Sequence, residues 1–87
     1  PAAEGRGYRL QVGAVRTAEA AKQEWTRLKR LHGEVLGSLG FSTERVDLGA
    51  RGVFYRIQAG PIANAAAAER DCSELKQRGV SCILVKP

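Results

Sequence analysis

The sequence predicts an α+β domain of the ferredoxin-like (RNP-like) class, β-α-β-β-α-β. Its four-stranded antiparallel sheet would carry two helices on one face and leave the other face open. Three observations predict this. At 87 residues the chain has room for one domain. Residues 8–15 read YRLQVGAV and residues 55–62 read YRIQAGPI, so Tyr, Arg, Gln and Gly recur in the same order in the second half. Each copy alternates like a strand and is followed by a stretch with helical spacing, which divides the chain into two related halves.

Composition supports a folded chain. Hydrophobic residues at 44% against charged residues at 26% provide enough apolar surface to outweigh chain entropy. The net charge of +5 favours an anionic partner: a nucleic acid, an anionic lipid or an acidic polymer. No apolar run reaches transmembrane length, and no signal-peptide pattern is present. The opening PAAEG is built of small residues, so residues 1–7 read as the end of a flexible linker and residues 8–87 as the domain. The domain is then expected to be the C-terminal part of a longer protein, with any anchor or export signal in the preceding part.

In residues 8–15, Tyr8, Leu10, Val12 and Ala14 point one way while Arg9, Gln11 and Gly13 point the other. Thr17 is placed to cap a helix that runs to about Leu31, with Ala18, Ala21, Trp25 and Leu28 as its apolar stripe. Basic residues near its end suit the helix dipole, and Gly33 can stop it. Val35, Leu36 and Leu39 lie in a connection with room for one more helical turn. Residues 43–48 predict the second strand, and residues 49–52 (GARG) a tight turn. Residues 53–59 predict the third strand, with Tyr55, Ile57 and Ala59 inward and Phe54, Arg56 and Gln58 outward; Gly60-Pro61 would end it. A second helix starts at Ala63 or Asn64 with Ala65, Ala68, Cys72 and Leu75 as its stripe, and Gly79 suits the position past its end. Residues 81–85 complete the sheet.

Right-handed crossovers would put both helices on one side. The first and third strands then adjoin at the sheet centre, and the repeated residues become neighbours. Arg9, Gln11, Arg56 and Gln58 form one polar patch on the open face, with Phe54 at its edge. Polar residues on the solvent side of a sheet need no function. The repetition of the Arg-x-Gln pair on both central strands is what argues for a shared role. Two guanidiniums and two amides suit a ligand rich in hydroxyls, amide carbonyls and carboxylates.

These residues carry a family resemblance. YRLQVGA, the Ala/Leu-rich helix after it, FYRIQAGPI and the tail LKQRGVSCILVK together resemble a SPOR domain, over roughly residues 8–86. The stretch VDLGARGVFYRIQAGP, with one Cys on the second helix and another on the last strand, resembles the alphaproteobacterial versions. The resemblance implies a non-catalytic module of cell-division and cell-wall proteins. Such modules bind peptidoglycan glycan strands stripped of their stem peptides, which are enriched where amidases act at the septum. It implies a periplasmic or envelope location at the division site, with a parent protein that is exported or anchored in the inner membrane. It also implies that the open face binds the glycan, with Gln11 and Arg56 central and Phe54 as an aromatic contact; Arg9 and Gln58, the other members of the repeated pair, are expected in support. Several members carry Ser or an aromatic right after the first-strand Gly; here that stretch is Gly13-Ala14-Val15.

Cys72 and Cys82 would lie on the helix and strand that face each other, as a disulfide in an oxidising periplasm or as a buried thiol pair; the disulfide is the preferred reading. Two Cys and the single His32 match no zinc spacing, so no metal and no cofactor are expected. His32 reads as a solvated or capping residue, Trp25 as a core anchor, and Arg27, Lys29 and Arg30 as a solvated helix face. Glu19, Glu24, Glu69 and Glu74 form no acid–base pair, and no nucleophile–base set is present, so no enzyme is expected. Two other readings share this topology. One is a protein-interaction module that recruits divisome proteins or cell-wall hydrolases. The other is RRM-like RNA binding, suggested by RGVFYRI, but the first strand would present Arg9 and Gln11 where base stacking needs aromatics. No nucleic-acid partner is therefore expected, and a membrane would be met only through an anchor elsewhere in the parent protein.

Overall fold

A computed structural model describes residues 7–87. The element order is β1 (Tyr8–Val15), α1 (Ala18–Leu31), a short α2 (Gly33–Leu36), β2 (Gly40–Asp47), a 3₁₀ turn (Gly49–Arg51), β3 (Val53–Ile62), α3 (Ala65–Gln77) and β4 (Ile83–Val85). All strand pairs are antiparallel, in the order β2-β3-β1-β4, so β1 and β3 are the central strands. The PAAEG stretch lies outside the described residues. Gly7 is buried, and a Cβ there would come within 2.5 Å of the Pro61 Cβ.

The helices begin where side chains can satisfy their free N–H groups. Thr17 Oγ1 accepts from the Ala20 N–H at 3.0 Å, and Asn64 Oδ1 accepts from the Ala67 N–H at 2.8 Å. The connection after α1 holds the extra turn, because His32 interrupts the first helix with a non-helical backbone while its N–H still donates to the Leu28 carbonyl. Leu36 from that turn is fully buried.

The core lies on one face of the sheet. Leu10 and Val12 of β1 and Ile57, Ala59 and Ile62 of β3 meet Ala21, Trp25 and Leu28 of α1 and Ala68, Cys72 and Leu75 of α3. The alanines let α3 approach closely. Trp25 anchors the core as predicted, stacked on Phe41 with ring centroids 5.5 Å apart and planes 11° apart. Both helices therefore cover the same side, and the opposite side stays open. Outer-face carboxylates are spent on arginines: Glu24 with Arg27 at 2.7 Å, and Arg78 bridging Glu34 and Glu74. The hydrogen bonds from Arg27 hold the Glu24 carboxyl below its usual range.

Several features differ from the sequence reading. β2 starts at Gly40 rather than 43, because Phe41 pairs opposite Ala59 and packs on Trp25. β3 runs through Gly60-Pro61 to Ile62, which pairs opposite Tyr8. A proline is tolerated there because the ladder is irregular at that point. The Gly60-Pro61 peptide is cis. At Gly60 a Cβ would lie 2.9 Å from the Tyr8 carbonyl oxygen and 3.0 Å from Arg9 Cγ, so only glycine admits this approach of β3 to β1. β4 is shorter than predicted and begins after Cys82.

A further difference bears on the site. Strict alternation sends Gly13 outward and Ala14 inward; the structure reverses both. Between the pairs Gln11–Gln58 and Gly13–Ile57 the register slips, so Val12 is an extra residue on β1. After this bulge Gly13 faces inward, where its Cβ would meet Ile57 Cδ1 at 3.6 Å. Ala14 turns outward, exposed and opposite Arg56. The ladder slips a second time beside Gly60-Pro61, at the equivalent place in the second copy of the repeat.

Candidate functional site

The register arranges the open face in rows across the strands. One row holds Ser42 (β2), Gln58 (β3), Gln11 (β1) and Ile83 (β4). The next holds Glu44, Arg56 and Ala14, and the next Val46 and Phe54. At the other end, Arg9 pairs opposite Val85. All five sequence-predicted residues, Arg9, Gln11, Phe54, Arg56 and Gln58, thus lie on one surface, carried by the two central strands.

They are not equivalent there. Gln11 and Arg56 are half-buried with reachable heads, and the Arg56 side chain is 39% exposed. Gln58 is 6% exposed, because it sits mid-sheet with neighbours on both strands. Its amide head therefore presents little surface on the open face. Arg56 already has a carboxylate: Glu44 Oε1 lies 3.5 Å from its Nη1. That separation is an ion pair but too long for a strong hydrogen bond, and both groups are exposed.

The sequence reading missed Ala14, Arg16, Glu44 and Ile83. Arg16 is the residue after β1, and its guanidinium carbon stands 4.6 Å over the centre of the Phe54 ring. Ile83 is 56% exposed beside Gln11. A signal for the bulge exists in the repeat. The core-facing pairs Val12 with Val15 and Ala59 with Ile62 are three apart, and an unbroken strand cannot send both members of such a pair to one face. Nothing local in the sequence announces Glu44, because its pairing with Arg56 depends on how β2 registers on β3.

A recess of about 220 Å³ opens at one end of the sheet, lined by Arg9, Gly40, Phe41, Ser42, Gly60 and Pro61. Cys72 and Cys82 form a disulfide with Cα atoms 5.5 Å apart, tying α3 to the start of β4. No group of His, Cys, Asp and Glu among the described residues could hold a metal ion. No helix among them is long and apolar enough to cross a membrane.

Among the described residues, the ferredoxin-like sheet has one face covered by helices and presents arginine, amide and the Phe54 ring on the other, the architecture of an open-sheet module. The chain belongs to the SPOR domain family, whose pattern matches residues 4–86. Among solved structures it is similar to the SPOR domain of RlpA from Pseudomonas aeruginosa. The two are 23% identical with a TM-score of 0.68, over 93% of this chain and 100% of that one. It is also similar to the peptidoglycan-binding domain of the B. subtilis cell-wall lytic enzyme CwlC, at 20% identity and a TM-score of 0.56, over 90% of this chain and 85% of that one. At these identities the likeness is one of fold. No curated protein matches the sequence.

Proposed function

We propose that this domain binds peptidoglycan glycan strands that have lost their stem peptides, without catalysis, and so brings its parent protein to the division septum. The observation that carries the reading is the open face itself, with Gln11, Arg56 and Phe54 on the paired central strands of a SPOR-family fold. The CwlC domain, described as peptidoglycan-binding, supports the ligand class. In an intact strand the lactyl group of muramic acid is tied up as an amide. Removing the peptide frees a carboxylate, which a guanidinium recognises through a charge-assisted fork. Gln11 is suited to N-acetyl groups, and Phe54 to the apolar face of a sugar ring. The recess beside Arg9 has room for a pendant group. The Cys72–Cys82 disulfide fits an oxidising envelope compartment.

The test is a pull-down with whole sacculi before and after treatment with an amidase. Stronger retention on the stripped material is expected. Equal retention on both, or retention abolished by competing RNA, would overturn the reading and favour a protein or nucleic-acid partner. The RNA outcome runs against the surface: Phe54 is the aromatic on the described open face, while Tyr8 and Tyr55 pack against the core.

Glu44 is a built-in competitor in this reading, because a ligand carboxylate must displace it from Arg56 or share the guanidinium. Glu44→Gln is expected to tighten retention on stripped sacculi about two- to fivefold at low salt, with the gain fading as salt screens exposed charges. Unchanged or weaker retention would mean that Arg56 does not meet an anion.

A further inference from the structure

We infer that Arg16 is a second carboxylate-binding residue of the open face, one that reads the charge of the stripped strand alongside Arg56. The inference rests on the glycan reading above and extends it to a residue outside the repeated motif. Three observations carry it. First, position: the register Ala14–Arg56 and Val15–Tyr55 continues one step to set Arg16 beside Phe54, so Arg16 faces the open side. It lies one row, roughly 7 Å, from Arg56 along the strands. Second, preorganisation: its guanidinium carbon is held 4.6 Å over the Phe54 ring, and the bare Cα of Gly52 leaves it space, since a Cβ there would stand 2.8 Å from Arg16 Nη2. A guanidinium stacked in this way loses less rotamer freedom when it takes up a ligand. Third, availability: Arg16 is exposed, and no carboxylate among the described residues is ion-paired with it, whereas Arg56 already faces Glu44.

The consequence is a division of labour along β1 and β3. Arg56 is partly neutralised before any ligand arrives. Arg16 carries its full charge, and its stacking on Phe54 fixes where a carboxylate must lie relative to a sugar ring on the same aromatic side chain. The ligand chemistry this favours is a strand with carboxylates on non-adjacent sugars, so that the two arginines address different residues of the chain.

The experiment measures retention of wild type, Arg16→Gln and Arg16→Lys on amidase-stripped sacculi, from low to high salt. Arg16→Gln is expected to lose about tenfold at low salt, with most of that loss gone at high salt, where exposed ion pairs are screened. Arg16→Lys, which keeps the charge but not the fork, should fall between. If Arg16→Gln binds like wild type at low salt, the inference is overturned. A loss equally large at low and high salt also overturns it, since it would mean Arg16 only steadies Phe54. If wild type itself shows no preference for stripped sacculi, the parent reading has failed instead, and that outcome is separable because it is read without any variant.

Discussion

Replacing Gln11 and Arg56 together with alanine is expected to reduce affinity for amidase-stripped sacculi by about 100-fold while leaving the fold intact. The size follows from the hydrogen bonds that the two side chains would no longer donate to the glycan. A hydrogen bond to a charged group contributes about 1.5–3 kcal/mol and a neutral one about 1 kcal/mol, and about 1.4 kcal/mol is a factor of ten. The fold should survive because neither side chain belongs to the core cluster. The one intramolecular ion pair removed, Arg56 with Glu44, is exposed, spans 3.5 Å and contributes between about 0 and 1 kcal/mol. Retention assays read the first effect and thermal denaturation the second. A double variant that still binds like wild type would show that the glycan lies elsewhere. A variant that melts far below wild type would show that the central strands depend on these residues for stability. Gln58→Ala is the informative contrast. Being buried mid-face, it should cost stability more than direct contact.

The second large effect concerns the cross-link. Cys72 and Cys82 are ten residues apart, so their bond closes a short loop, for which the chain-entropy account gives about 2–3 kcal/mol. For a domain of this size that corresponds to a fall in Tm of about 10–20 °C on reduction or in the Cys72→Ser/Cys82→Ser variant. Binding should suffer as well. β4 has three residues and pairs with β1 alone, at Arg9, Gln11 and Leu10. The disulfide holds the start of this short edge strand to α3, and β4 in turn flanks Gln11 with Ile83. Reduced protein is therefore expected to bind stripped sacculi more weakly even below its lowered Tm. If the Tm moves by less than about 3 °C, the cross-link is not holding the native state, and β4 must be fixed by its core contacts through Leu84.

Much of this protein is determined by local sequence. The internal repeat and the period-two pattern mark the central strands. The 3.6-residue spacing of Ala21, Trp25 and Leu28 and of Ala68, Cys72 and Leu75 marks the faces that α1 and α3 bury. Thr17 and Asn64 start the helices because their side chains reach the next turn's amides. These features are short-range, so they are legible without any fold. The same pattern placed Arg9, Gln11, Phe54, Arg56 and Gln58 together once the topology was assumed.

Tertiary structure alone decided the rest. Val12 becomes a bulge because Val12 and Val15 must both face the core. The extra residue turns Ala14 outward next to Arg56 and carries Arg16 onto Phe54. Glu44 meets Arg56 because β2 registers on β3 with Asp47 opposite Val53, and Gln58 is buried where the extension of β2 back to Gly40 sets Ser42 opposite it. The three-residue spacing of Val12 and Val15 hints at the bulge, but strict alternation does not fix where one strand registers on another: side chains change faces with every one-residue offset, and the offset is set by packing against a partner distant in the chain. The polar residues of the open face are therefore written in the repeat, while the pairing of Arg56 with Glu44 is set by which strands meet and in what register.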